Sequence, residues 1–312
     1  MSRAEFVLPN LGSLIMGLAW GASRAIGALT IVVVLILSFA VINLSSAIGA
    51  QINTLSDHEL DLKDERKKKL VSATDSLGEK RVRTFIIVEF VLTLIIVSTL
   101  AFIEQKPLLL VLWMIGISLG WAYSSPPLRI KSRSWVAPVT LILVLAAFPA
   151  FFAYYAFTSE INPFFLLSLV GLGLTVYGVI IPTEIRDYFG DEAMNVQTMT
   201  VKLGLTKASS LSIILLSIGA VVTCTAYLLE FAANAHAILA AFLLVVLAAV
   251  LFVLRQFVKL HSLAKELAAS ENSESLKERI ISLSTHNPQW IMLVTQSYNL
   301  IAIVLFISKF VA

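Results

Sequence analysis

Asn53, Asp57 and Asp61 close a long apolar run at intervals of four residues. If the helix of that run continues through them, they stand one turn apart on a single face, because residues four apart are stacked neighbours. A second set, Glu184, Asp187 and Asp191, follows another apolar run at nearly the same spacing. Carboxylates brought together repel, by roughly 3 kcal/mol for a pair about 5 Å apart at an effective dielectric of 20. They stay ionised only with cations between them. Hard divalent cations fit best, since Mg²⁺ takes oxygen ligands, keeps several waters and typically uses one or two carboxylates plus substrate phosphates. The ligand implied is a diphosphate or polyphosphate bridged by Mg²⁺. Nothing resembles a soft-metal site, because Cys224 is the one cysteine and His58, His236, His261 and His286 are scattered.

A third polar element reads Tyr123-Ser-Ser-Pro-Pro-Leu-Arg129-Ile-Lys131-Ser-Arg133. Arg129 and Lys131 have the charge to neutralise the non-bridging oxygens of a departing diphosphate, a stabilisation that Mg²⁺ shares. Taken singly, each of these features has an ordinary reading. Acids at helix ends are commonly solvated, and basic residues after a helix commonly mark the cytoplasmic side. The chemistry is carried by two acidic ladders and a cationic loop on one face.

The elements that must position these residues are membrane helices. Hydrophobic residues make up 58% of the chain and charged ones 14%, and the apolar residues come in blocks near the 20 or so that cross a bilayer. Closed helices satisfy the backbone where water is absent, so the expected fold is all-α and polytopic. The apolar blocks predict nine spans, at about residues 4–22, 26–51 and onward to 61, 84–103, 108–123, 135–157, 163–185, 209–229, 235–254 and 288 to the C-terminus. The first residues lack the pattern of a cleavable signal, so the first span is expected to stay. Residues 62–83 read as a polar, heavily basic loop, and the acids after Ile185 as the opening of another. Phe257, Leu260, Leu263, Ala264 and Leu267 recur at helical spacing beside Arg255, Lys259 and Lys265, the pattern of a helix on the membrane surface.

Nine spans put the loops after the second, fourth, sixth and eighth on one side. Of all Lys and Arg, only Arg3, Arg24, Lys106 and Lys309 lie outside those loops, so that side is expected to be cytoplasmic. Both acidic ladders and the cationic loop fall there, with four crossings between the ladders. The cations are spread between apolar blocks, a pattern that reports orientation and argues against a nucleic-acid partner. Cys224 sits within an apolar block and excludes an intramolecular disulfide framework.

Asn-x-x-x-Asp-x-x-x-Asp closing the second helix, Tyr-Ser-x-Pro-Pro-Leu-Arg-x-Lys after the fourth, and Arg-Asp-x-x-x-Asp followed by Thr198-Met-Thr200-Val-Lys-Leu-Gly204 after the sixth resemble the UbiA superfamily of intramembrane prenyltransferases. The resemblance runs from about Ala4 to the C-terminus. It implies a single domain over residues 1–312, a nine-helix bundle around a central cavity, and a cytoplasmic cap made by the loops after helices two and six. The implied activity is Mg²⁺-dependent transfer of a prenyl chain from an isoprenyl diphosphate to a lipophilic or aromatic acceptor in the bilayer: a quinone precursor, ether lipid, chlorin or carotenoid.

The same resemblance assigns Asp57, Asp61, Asp187 and Asp191 to metal binding and catalysis. Asn53, Tyr123, Arg129, Lys131, Glu184 and Arg66 are assigned to the substrate, and Trp121, Tyr177, Tyr188 and Tyr298 are candidates to line the cavity. The chain departs from many relatives where it has Thr54 in place of an Asp directly after the motif's Asn, and Lys67-Lys-Lys-Leu70 in place of a basic-Pro-Leu sequence. The first departure removes one potential ligand. Two other readings stand beside the enzyme: a transporter using the acidic residues for protons or cations, and a prenyl-binding relative without catalysis. Transporter sites favour the bilayer midplane, whereas these acids close helices; Glu89 is the one acid that the pattern sets deeper.

Overall fold

A computed structural model describes residues 7–62, 68–133, 135–194, 196–234, 236–270 and 273–311. Arg66 lies outside the described residues. Among them the chain is all-helical, with no strand. In order the helices are α1 (Val7–Gly21), α2 (Ala28–Asp61), α3 (Lys68–Leu77), α4 (Glu79–Ile103), α5 (Leu108–Ser124), α6 (Val136–Ile142), α7 (Phe148–Phe157), α8 (Pro163–Ala193), α9 (Met199–Leu203), α10 (Leu205–Ala233), α11 (Leu243–Ala269), α12 (Glu274–Ser284) and α13 (Asn287–Val311).

Seven described helical stretches are long and apolar enough to cross a membrane, and α5 is a shorter apolar helix. α1 is shorter still at 15 residues. The nine apolar blocks of the sequence therefore come out as seven stretches of spanning length and two short helices. Exposed leucine, isoleucine, valine and phenylalanine side chains populate their outer faces, as on Ile87, Phe102, Val170, Val221 and Leu251.

The chain divides into two compact units, Met1–Lys131 with Phe148–Ser159, and Ser132–Ala147 with Glu160–Ala312. In the first unit α2 packs along α4 and α1 along α7. Gly17 is required for the second pairing: a Cβ there would lie 2.5 Å from the Tyr154 backbone nitrogen and 2.7 Å from the Ala153 carbonyl carbon. Trp113 donates its indole N–H to Ser45 Oγ at 3.0 Å, fixing α5 on α2. Lys106 Nζ donates to the Ala156 carbonyl at 3.0 Å, satisfying an acceptor that the end of α7 leaves open.

In the second unit α8 and α10 run in close backbone contact, made possible by Gly171, Gly178 and Gly219. At one end of this seam Asn162 caps α8, accepting from the backbone nitrogens of Phe164 and Phe165. It also donates to Glu230 Oε2 at 3.0 Å, while Asn234 donates to Oε1 at 3.2 Å. At the other end Tyr177, Ile181, Ile185, Leu205, Leu260, Leu263 and Ile280 form one buried apolar cluster.

Three sequence expectations are corrected. The stretch after Ile185 is helix rather than loop, since α8 continues to Ala193; Tyr188 hydroxyl donates to Glu192 Oε1 one turn on, supporting the extension. Residues 68–83 of the basic loop are helical in α3 and the start of α4, divided at Gly78 with φ +78°. Val71 and Thr74 bury the inner face of α3. The amphipathic stretch from Phe257 is no separate surface helix. It is the continuation of α11, and Phe257, Leu260, Leu263 and Ala264 are buried in protein.

Candidate active site

The first ladder occupies the C-terminal turns of α2. At 34 residues this helix is about 50 Å long, well beyond a hydrocarbon core of about 30 Å, so its acidic end projects past the apolar layer. Asn53 Oδ1 accepts from Ser124 Oγ at 3.0 Å and from Lys131 Nζ at 3.3 Å. One turn on, Asp57 Oδ1 accepts from Arg129 Nη2 at 3.1 Å and from Lys131 Nζ. The helix face and the loop after α5 thus meet through two acceptors and two cations. Asp61, only 4% exposed, lies near enough for its charge to act on Lys131.

The loop that brings these cations to α2 is shaped by its own backbone. Pro126-Pro127 is a cis peptide, and Arg129 has φ +35°. Burial lowers the Lys131 ammonium below its ordinary value, and the neighbouring Asp57 carboxylate works in the opposite direction. Tyr123 is half-buried in the last turn of α5, directly before Ser124. Trp121 is 45% exposed.

Thr54 acquires a structural explanation. It is buried, and its hydroxyl donates to the Ala50 carbonyl of its own helix at 2.9 Å. It therefore supplies no group to the ladder face. Glu89 also has a partner the sequence did not reveal: Gln51 Nε2 donates to both of its carboxylate oxygens, at 3.0 and 2.9 Å. This amide–carboxylate pairing couples α2 to α4 two residues before Asn53 and gives Glu89 a structural role.

The second ladder lies on the last turns of α8. Glu184 Oε2 accepts from Thr200 Oγ1 at 2.6 Å. Thr200 is carried there by α9, whose N-terminus Thr198 caps by accepting from the Val201 backbone nitrogen. Asp187 takes a two-point pairing from its neighbour Arg186, at 3.1 and 3.2 Å. Asp191 follows one turn beyond. Tyr298, a cavity-lining candidate, is instead buried with its hydroxyl 2.9 Å from Thr175 Oγ1.

α8 is continuous, but its hydrogen-bond ladder is interrupted just before the acidic turns. Pro182 has no N–H to give Gly178 four residues before it. Ser212 on α10 donates to that carbonyl at 2.7 Å, and Asn287 at the start of α13 donates to the next one, Val179, at 2.7 Å and to Thr183 Oγ1 at 2.7 Å. Asn287 is fully buried. Asn287→Leu, similar in size, is expected to lower stability by about 1–3 kcal/mol by stranding buried acceptors, read as an earlier thermal transition of the detergent-solubilised protein. An unchanged transition in both Asn287→Leu and Ser212→Ala would show that the interruption needs no outside donors.

No three His, Cys, Asp or Glu side chains among the described residues are gathered to hold a metal ion unaided. The donor set fits Mg²⁺ in a different way. Each ladder by itself offers only oxygen, Asp57 and Asp61 on α2 and Asp187 and Asp191 on α8, and Mg²⁺ usually takes one or two carboxylates and completes its shell from water and substrate phosphate.

A model of the UbiA prenyltransferase family matches residues 10–271. No curated protein matches the sequence. Among solved structures, a UbiA homologue from Archaeoglobus fulgidus bound to DMAPP and Mg²⁺ is similar with a TM-score of 0.64 at 16% identity, covering 95% of this chain and 98% of that one. A UbiA homologue from Aeropyrum pernix K1 gives 0.64 at 14% identity, covering 93% and 97%. A structure of digeranylgeranylglyceryl phosphate synthase in membranes gives 0.60 at 17%, covering 96% and 94%. At such identities these likenesses carry the fold, and the family match carries the membership. The chain is an integral membrane protein that belongs to the UbiA prenyltransferase family.

Proposed function

We infer that this protein transfers a prenyl chain from an isoprenyl diphosphate to a lipophilic acceptor, with Mg²⁺ as cofactor. The observation that carries the reading is the convergence of Arg129 and Lys131 on Asn53 and Asp57, because a ladder kept for solvation would not have two cations folded onto it. The donor chemistry has a counterpart in the Archaeoglobus homologue, which holds DMAPP and Mg²⁺.

In this reading Arg129 and Lys131 turn from Asp57 to the diphosphate oxygens and take up the charge that develops as the allylic C–O bond breaks. Asn53, held by Ser124, orients Lys131. Asp57, Asp61, Asp187 and Asp191 hold Mg²⁺, which when bound neutralises the diphosphate as a leaving group. Glu184 with Thr200, Tyr123 and Arg66 belong to the substrate-binding set. The prenyl carbocation is captured by a nucleophilic carbon or oxygen of the acceptor, which then loses a proton. The Tyr-Ser-x-Pro-Pro-Leu loop favours a lipid-like or large acceptor over a small benzoate, and no residue selects among such acceptors. α1 and α5 complete nine crossings of a single domain, with the ladders under a cap on the cytoplasmic side.

The test is purified protein with Mg²⁺, radiolabelled geranylgeranyl or farnesyl diphosphate, and a panel of acceptors read by mass spectrometry. Transfer or diphosphate release supports the reading. Absence of binding to any diphosphate, with proton-coupled solute flux in liposomes, would replace it with a transporter.

Lys131 also sets a pH signature. Its lowered value means that the ammonium is charged at neutral pH and is lost, as pH rises, before an ordinary lysine would lose it. The unfolded chain then holds the extra proton, so this group does not weaken the fold on the alkaline side. The expected result is a fall in kcat/KM below the ordinary lysine range while the protein stays folded. Lys131→Arg, which retains charge, should move that limb upward; an unmoved limb would remove Lys131 from the reaction.

A further inference from the structure

The α11–α12 hairpin carries a groove of about 680 Å³ that the ladders do not use. Lys259 and Glu266 line one wall from α11, Glu278 and Arg279 line the other from α12, and His286 closes it at the start of α13. All five are exposed. Lys259, Glu266, Glu278 and Arg279 have no ion-pair or hydrogen-bond partner among the described residues, although both signs of charge share one groove.

The order of charges along the groove is set by topology. α11 and α12 are joined by a short link, so Lys259 and His286 fall at the end away from it, and Glu266 and Glu278 lie nearer to it. Lys259 and Glu266 are about 10 Å apart along the axis of α11. His286 Nδ1–H donates to the Ser282 carbonyl at 3.1 Å, so Nε2 accepts on the neutral ring and donates to an outside partner on the imidazolium.

The apolar surface fixes where this groove lies. On α11 the exposed side chains up to Val258 are chiefly apolar, including Leu244, Val245, Leu251 and Phe252. From Lys259 onward the exposed side chains are Lys259, Ser262, Lys265 and Glu266, followed only by Ala268 and Ala269. The stretch from Ile238 to Val258 is on the order of 20 residues, one hydrocarbon thickness. Arg255 and Lys259, one turn apart, are the first exposed charges on α11, so headgroups start at this turn. On α13 the apolar surface resumes at exposed Leu293.

We propose that this groove binds the headgroup of a zwitterionic aminophospholipid, its phosphate at the Lys259–His286 end and its primary ammonium at the Glu266–Glu278 end. Lys259 nearest the apolar layer and the carboxylates of Glu266 and Glu278 farther out match the order in which phosphoethanolamine presents its charges from the glycerol outward. Arg279, the residue after Glu278, lies at the carboxylate end of the groove. The acyl chains lie along the apolar face that ends at Val258. The assignment is independent of the transfer reaction.

Delipidated full-length protein in detergent is titrated with dioleoyl phosphatidylethanolamine, phosphatidylcholine, phosphatidylglycerol or inorganic phosphate, and binding is followed by native mass spectrometry and thermal shift. The ethanolamine lipid is expected to bind about tenfold more tightly than the choline lipid, whose quaternary ammonium donates no hydrogen bond to a carboxylate. Glu266→Gln with Glu278→Gln should erase that preference and leave phosphate-dependent binding. Lys259→Gln with His286→Gln should weaken both lipids about tenfold. These side chains are exposed, and an unchanged unliganded melting profile in each double variant checks the fold. Equal or tighter binding of phosphatidylglycerol, a full shift with inorganic phosphate, or ethanolamine selectivity that survives the glutamine pair would overturn the proposal.

Discussion

Asp57→Ala is expected to lower prenyl transfer by roughly 10³-fold or more, and Asp187→Ala to do the same, with diphosphate release measured under saturating Mg²⁺. Asp57 is the acceptor on which Arg129 and Lys131 both converge. Removing it takes away an oxygen proposed to hold metal and leaves two cations beside Asn53. The Asp57→Asn variant separates these effects, because an amide keeps the size and one acceptor while losing the charge. Its transfer should be nearly as low as in the alanine variant, with a smaller loss of stability. If transfer stayed within a few-fold of the parent in both alanine variants, neither ladder would be part of the reaction.

Gly219→Val is expected to leave little folded protein after extraction. A Cβ at Gly219 would sit 2.6 Å from the Thr175 backbone nitrogen and 2.7 Å from the Gly171 carbonyl, and one at Gly171 would meet the Thr223 nitrogen at 2.7 Å. Backbone atoms on the facing helix cannot rotate away, so α8 and α10 would have to separate. Overpacking costs typically about 1–3 kcal/mol and occasionally more, and a seam closed by backbone on both sides belongs at the upper end. Size-exclusion profiles and thermal unfolding of Gly219→Ala and Gly219→Val measure the effect; an alanine variant that melts with the parent would show that the seam has slack.

The sequence made the acidic spacing legible because four-residue intervals are a property of any helix. The ends of helices were harder. α8 was expected to stop near Ile185, since polarity rises there, but charged side chains at suitable intervals sustain a helix beyond the apolar layer. α11 misled in the same way: its basic residues read as a membrane-surface element, while Phe257 and Leu260 on the other face were packing against protein. The partners of the ladders were the least legible part. Ser124, Thr200 and Gln51 are ordinary polar residues, and Asn287 stands far from Pro182 in sequence. Only folding reveals that Ser212 completes what Pro182 leaves open and that Asn287 binds the next carbonyl.

The pairing of Lys131 and Arg129 with Asp57 bears on the order of events. A carboxylate already satisfied by two cations is a poor trap for a third, so on the proposed reading Mg²⁺ alone should bind weakly. A diphosphate draws the two side chains away and frees the oxygen, and each ligand then improves the other. Such reciprocity is typically worth about 5–150-fold in affinity, and calorimetric titration of Mg²⁺ with and without a non-hydrolysable diphosphate would measure it. On that reading the resting protein is a latch that metal and donor open together.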